Sequence, residues 1–120
     1  MTTFKGKHSL EKRHTEFKRI HDKYPERIPV IVEKLKSSKS NEELPDLEKK
    51  KFLVPRNITF GQFLYIIRSR IQLSPEQALF VFVNNSIIPT TSDTLEIIYS
   101  KYKDEDGFLY CGFSGESTLG

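Results

Sequence analysis

The sequence has no tryptophan, one cysteine and one methionine, and none of its apolar runs approaches the length that crosses a bilayer. Each shortage excludes something. A lone thiol, Cys111, cannot form an internal disulfide, and Cys/His spacing for a four-ligand zinc site is absent, so a reducing cytoplasm fits. The N-terminus lacks the apolar stretch of a secretory signal. Neither a GxxxxGK phosphate loop nor a GxSxG elbow occurs, and Cys111 has no histidine partner in the pattern, so no catalytic residue, cofactor or metal is assigned. His8, His14 and His21 lie on one basic segment with no cysteine near, and Asp104, Glu105 and Asp106 before Gly107 read as a turn rather than a calcium loop.

What remains is one domain of 120 residues with nine Phe, five Tyr and 29% charged side chains, an ordinary globular composition. The net charge of +3 hides an asymmetry. Residues 1–39 carry eleven Lys/Arg against five Asp/Glu, whereas residues 40–120 carry eight against eleven. A basic front on an acidic body suits an anionic surface, either a membrane or acidic protein tails. Nucleic acid is disfavoured, because no aromatic platform is interleaved with the basic residues.

Leu10, Phe17, Ile20 and Tyr24 recur at helical spacing among charges, which predicts a thin-striped helix stopped by Pro25. Ile28, Val30 and Val32 then alternate with Pro29 and Ile31, a strand whose first set faces the core and whose second set is left outside. Residues 35–48 have loop composition, and a second strand runs from Lys51 to Pro55. Thr59 with Gln62 forms a capping-box signature before Phe60, Phe63, Leu64, Ile67 and Ile71, the strongest amphipathic helix in the chain. Leu79 to Val83 is apolar throughout and predicts a central strand covered on both faces. Asn84 and Asn85 end it, a short helix follows over Asp93 to Lys101, and a last strand spans Phe108 to Phe113.

Residues 10–34 (LEKRHTEFKRIHDKYPERIPVIVEK), 49–55 (KKKFLVP), 61–71 (GQFLYIIRSRI), 78–85 (ALFVFVNN) and 104–110 (DEDGFLY), together with Gly120, closely resemble the autophagy-related ubiquitin-like modifiers. That is the family of GABA-receptor-associated protein and the microtubule-associated-protein light chains. The resemblance covers essentially the whole chain. It implies an α+β ubiquitin-like β-grasp with two additional N-terminal helices, divided into a helical extension (1–26), the β-grasp domain (27–113) and a flexible conjugation tail (114–120). Residues 36–47 are longer and more acidic than the usual connection, residues 86–92 carry an extra residue, and Gly120 stands last where many members are made with a removable extension.

The implied function is that of a modifier, not an enzyme: conjugation through Gly120 to phosphatidylethanolamine on autophagosomal membranes and recruitment of receptors with aromatic-x-x-aliphatic motifs. The implied partners are activating (E1-like) and conjugating (E2-like) enzymes and a deconjugating cysteine protease. By the same resemblance a first peptide pocket falls on Glu16, Ile20, Pro29, Ile31, Lys51, Leu53 and Phe108. A second falls on Phe52, Val54, Pro55, Ile58, Phe63, Ile66 and Arg70. Lys49 and Lys51 would favour acidic peptides, Arg27 after the YPER turn would anchor the helical extension, and Phe80 or Phe82 would be exposed to conjugation enzymes. The alternative is an unconjugated adaptor linking vesicles to microtubules. The protein is expected in the cytoplasm, and on the autophagosome membrane when lipidated.

Overall fold

A computed structural model describes residues 3–35 and 44–116. Two helices come first, α1 (Phe4–Lys7) and α2 (Leu10–Lys23). Strands β1 (Arg27–Lys34) and β2 (Lys51–Pro55), helix α3 (Phe60–Ile71), strand β3 (Phe80–Val83), helix α4 (Leu95–Tyr102) and strand β4 (Leu109–Ser114) follow. The strand order is β2-β1-β4-β3, with β1 antiparallel to β2, parallel to β4, and β4 antiparallel to β3. This is a β-grasp sheet with an added helical pair.

The helix starts follow from their caps. Ser9 accepts from the Lys12 N–H and Thr94 from the Ile97 N–H. At α3, Thr59 accepts from the Gln62 N–H (3.2 Å) while the Gln62 side chain accepts from the Thr59 N–H (2.8 Å), the reciprocal pair expected from the sequence. Such a cap contributes about 1 kcal/mol. Asn84 and Asn85 both take left-handed conformations (φ 53° and 60°), which their short polar side chains tolerate.

Strand alternation sorts side chains onto two faces. The inner face (Ile28, Val30, Val32, Phe52, Val54, Val81, Val83, Leu109, Cys111 and Phe113) packs on Phe60, Phe63, Ile67 and Ile71 of α3 and on Leu95, Ile98 and Tyr99 of α4. Leu44 and Leu47, in the segment read as loop, are also buried in this core. The outer face holds a smaller cluster of Ile20, Ile31 and Phe108, with Phe4, Phe17 and Tyr110 against it.

Three expectations need correction. Pro29 and Ile31 do lie on the outer face, but both are buried, Ile31 fully so in the layer that α2 brings over it. Leu79–Val83 is not a central strand, since β3 lies at the sheet edge. Its unbroken apolarity arises because Val81 and Val83 enter the main core while Phe82, on the opposite face, is buried as well. The inward side of α2 is also not the expected stripe: Leu10 and Tyr24 are exposed, and Arg13 takes a place beside Phe17 and Ile20.

Backbone chemistry fixes what β2 offers to a partner. Val32 donates to Lys50 O (2.8 Å), so Val32–Lys50, Val30–Phe52 and Ile28–Val54 are the hydrogen-bonded pairs of the β1–β2 ladder. Pro29, which has no N–H, stands opposite Leu53 in a non-bonded pair. The N–H and C=O groups of Lys51 and Leu53 therefore point away from β1, toward the open edge.

Candidate docking site

Beside that edge lies a cavity of about 690 Å³ between α2, β1 and β2. Ile20, Pro29, Lys51, Leu53 and Phe108 of the expected first pocket line it. Glu16 stands at its margin, where its carboxylate accepts from Lys51. Ile31 does not line the cavity and belongs to the packed layer with Ile20 and Phe108. Leu53 is 37% exposed although apolar. Lys49, Lys50 and Lys51 line it too, Lys50 paired with Glu33 and Lys51 with Glu16.

The residues of the expected second pocket do not form one cavity. Val54 and Phe63 are core, and Phe52 packs edge-on against Phe63 (6.2 Å between ring centroids). Pro55, Ile58 and Ile66 are half-buried. Arg70 is exposed and, with Lys49 and Phe52, lines a separate cavity of about 480 Å³ formed with the 45–48 segment. Phe80 is half-buried and Phe82 fully so. Gly120 and residues 117–119 lie outside the described residues.

Arg27 is exposed and makes only a backbone bond to Tyr24 O (3.1 Å). The charged anchor of the helical pair is Arg13 instead. Its guanidinium donates to Asp106 (2.6 Å) and to His8 O (3.1 Å). The Asp106 carboxylate, wholly buried, also accepts from the Phe108 N–H (2.8 Å) and the Tyr110 hydroxyl (2.6 Å). Burial and the bond to Asp106 raise the Tyr110 phenol above its ordinary range. Lys5 of α1 pairs with Asp104, whose carboxyl is held below its usual range: burial works to raise it, but the bonds from Lys5 and from the Asp106 N–H outweigh burial. Helix α1 is also held by Glu33, which accepts from the Phe4 N–H (2.9 Å).

Sequence reasoning missed α1's share of the cavity. Phe4, Lys7 and His8 line one end, with Phe4 edge-on to Phe108 (5.5 Å) and the Lys51 ammonium 5.2 Å from the Phe4 ring centroid. The available signal was Thr3, a helix-capping residue that accepts from the Gly6 N–H (3.0 Å). Asp106 looked like one of three solvated turn carboxylates, and nothing local distinguishes it. Cys111 is buried on the inner face, where desolvation pushes its thiol up to about 12. Among the described residues no group of three His, Cys, Asp or Glu side chains could hold a metal, and no helix is long and apolar enough to cross a membrane.

A four-stranded β-grasp sheet with an open edge, carrying two extra helices, defines a ubiquitin-like protein. The particular family follows from comparison. The description "Autophagy protein Atg8 ubiquitin like" matches residues 12–120. Autophagy-related protein 8d of Arabidopsis thaliana is 52% identical over 120 residues, covering 100% of this chain and 96% of the relative. Autophagy-related protein 8 of Mycosarcoma maydis is 50% identical over 119 residues, covering 99% of this chain and 97% of the relative. The crystal structure of Trypanosoma brucei ATG8 superimposes with a TM-score of 0.84 at 42% identity, covering 100% of this chain and 99% of that one. The chain belongs to the Atg8 family of autophagy-related ubiquitin-like proteins.

Proposed function

We propose that this protein is a covalent membrane tag of autophagy, joined through Gly120 to phosphatidylethanolamine, and that its β2 edge captures aromatic-x-x-aliphatic peptides. The carrying observation is the outward-facing backbone of Lys51 and Leu53 beside the cavity that Ile20, Pro29 and Phe108 help to line. An incoming peptide adds as a further strand, with backbone bonds supplying affinity and side-chain pockets supplying specificity. In an extended strand, residues three apart point to opposite faces. The aromatic residue then enters the outer-face cavity at Ile20, Pro29 and Phe108, and the aliphatic one meets the α3 side near Pro55, Ile58 and Ile66. Lys49, Lys51 and Arg70 favour acidic residues in the peptide.

The chain contributes no catalytic group to its own conjugation. A free glycine carboxylate is a poor acyl electrophile, so an E1-like enzyme adenylates it, E1- and E2-like cysteines carry it as a thioester, and a cysteine protease reverses the linkage. The modifier is cytoplasmic until it is lipidated. Support for this reading is the family membership, with Gly120 inside the matched span, where a residue without a side chain passes a narrow channel to a thiol.

The test titrates such a peptide into wild type, Leu53→Ala and Phe63→Ala, with thermal melts alongside. Wild-type affinity is expected near micromolar, about −8 kcal/mol. Leu53→Ala weakens binding and barely moves the melt, whereas Phe63→Ala costs about 3–5 kcal/mol of stability. A Leu53→Ala protein that binds like wild type refutes the docking reading. Gly120→Ala keeps peptide binding and loses the phosphatidylethanolamine adduct in an intact-mass measurement. Membrane attachment that persists in this variant favours an unconjugated adaptor held by the basic N-terminal segment to vesicles or microtubules.

A further inference from the structure

We propose that Phe17, seated on the bare backbone of Gly107, sets the depth of the cavity beside β2 and so decides which aromatic side chain it accepts; this rests on the docking reading above. Gly107 has φ 98°, and a Cβ placed there would stand 2.4 Å from the Phe17 ring. The ring therefore occupies the space that any other residue at 107 would fill. His21 stacks on Phe17 (5.4 Å between centroids, planes 16° apart), so the ring is held from both sides.

Phe17 does not itself line the cavity. It braces Phe108, which does, through an edge-on contact (5.9 Å, 74°). Phe4 meets Phe108 edge-on as well (5.5 Å, 76°). Phe108 is fully buried yet forms part of the cavity wall, and of the rings against it, Phe4, Phe17 and Tyr110, Phe17 is the one seated on Gly107. Close-packed interiors transmit such a volume change to their neighbours. A shorter or more pliable side chain at 17 lets the Phe108 ring recede, and a deeper cavity favours a large indole over a benzyl or phenol group.

The experiment uses the full chain and three peptides that differ only in carrying Trp, Phe or Tyr at the aromatic position. Titrations are run on wild type, Phe17→Leu, Phe17→Met and Val81→Ala, the last a destabilising change in the inner-face core away from the cavity. The ratio of Phe-peptide to Trp-peptide dissociation constants is expected to move toward Trp by about tenfold in Phe17→Leu, the low end for one methylene in an apolar pocket. Phe17→Met should move it less in the same direction, because a flexible thioether refills part of the space, and it carries the test if the leucine variant does not fold. Val81→Ala lowers the melting temperature and leaves the ratio at its wild-type value. Phe17 variants that weaken all three peptides by a common factor, or leave the ratio unchanged, overturn this proposal alone. A wild-type protein that binds none of the three overturns the docking reading itself, and this proposal with it.

Discussion

Replacing Arg13 with methionine tests what holds the helical pair to the β-grasp. The substitution keeps an unbranched side chain and removes the guanidinium that donates to Asp106 at 2.6 Å. Asp106 is 0% exposed and would be left as a buried carboxylate with two neutral donors, the Phe108 N–H and the Tyr110 hydroxyl. Removing one partner of a buried pair costs about 3–5 kcal/mol, chiefly through the stranded charge. The two surviving bonds and the slight exposure of the Arg13 side chain (11%) place the expectation at the low end, about 3 kcal/mol. Against a typical total of about 5–15 kcal/mol that is a large loss. At a urea slope of about 1.5 kcal/mol/M it lowers the midpoint by about 2 M. The assay is urea unfolding followed by circular dichroism on wild type, Arg13→Met, Asp106→Asn and the double variant. Because the double variant no longer strands a charge, its cost should fall well short of the summed single costs. An Arg13→Met protein within about 1 kcal/mol of wild type, or additive costs in the double variant, would refute the argument.

Acid should act on the neighbouring carboxylate. Asp104 is depressed in the folded state, so its contribution is present above the unfolded value of about 4 and is lost as pH falls through the lower folded value. The stability gap between wild type and Asp104→Asn should therefore close below about pH 4, and a gap that stays constant from pH 6 to about pH 3 contradicts the assignment. Cys111, its thiol pushed up to about 12 by burial, should resist iodoacetamide in the native protein at neutral pH and react fully in urea. Native alkylation at the rate of a small free thiol would show that the strand is not closed over it.

Periodicity revealed those elements whose sequence pattern answers to a single neighbour. Ile28, Val30 and Val32 alternate because only one face of β1 enters the main core, and Phe60, Phe63, Ile67 and Ile71 repeat at the helical period because they form the side of α3 that enters it. Where a second layer intervenes, the pattern loses its meaning. Ile31 reads as an outward apolar residue, and only the arrival of α2 buries it. Leu79 to Val83 read as central because both faces are apolar, but coverage of a strand's faces says nothing of its position in the sheet. Leu44 and Leu47 are single apolar residues among charges, with no period to announce that they enter the core. The places of Lys51 and Leu53 in the first pocket came from the family resemblance, whereas Arg13 and Asp106 are 93 residues apart and meet only through the tertiary fold.

Pro29 has a bearing on how the strands find one another. It lies in an interior strand, where a missing N–H ordinarily leaves a carbonyl unpaired, yet its nitrogen faces β4 one residue before that ladder begins at Val30–Leu109, and neither neighbour needs a donor there. Sliding β2 by one residue would invert every side chain on it, exposing Phe52 and Val54 and burying Lys51. The alternative one-residue slip turns β1 over instead and moves its hydrogen-bonded parity onto Pro29, so that a β2 carbonyl would meet a ring carbon in place of a proton. One imino acid thus works as a frame marker for β1: pairings that turn this strand over against β2 lose a ladder bond as they form, before the helices have packed over either face.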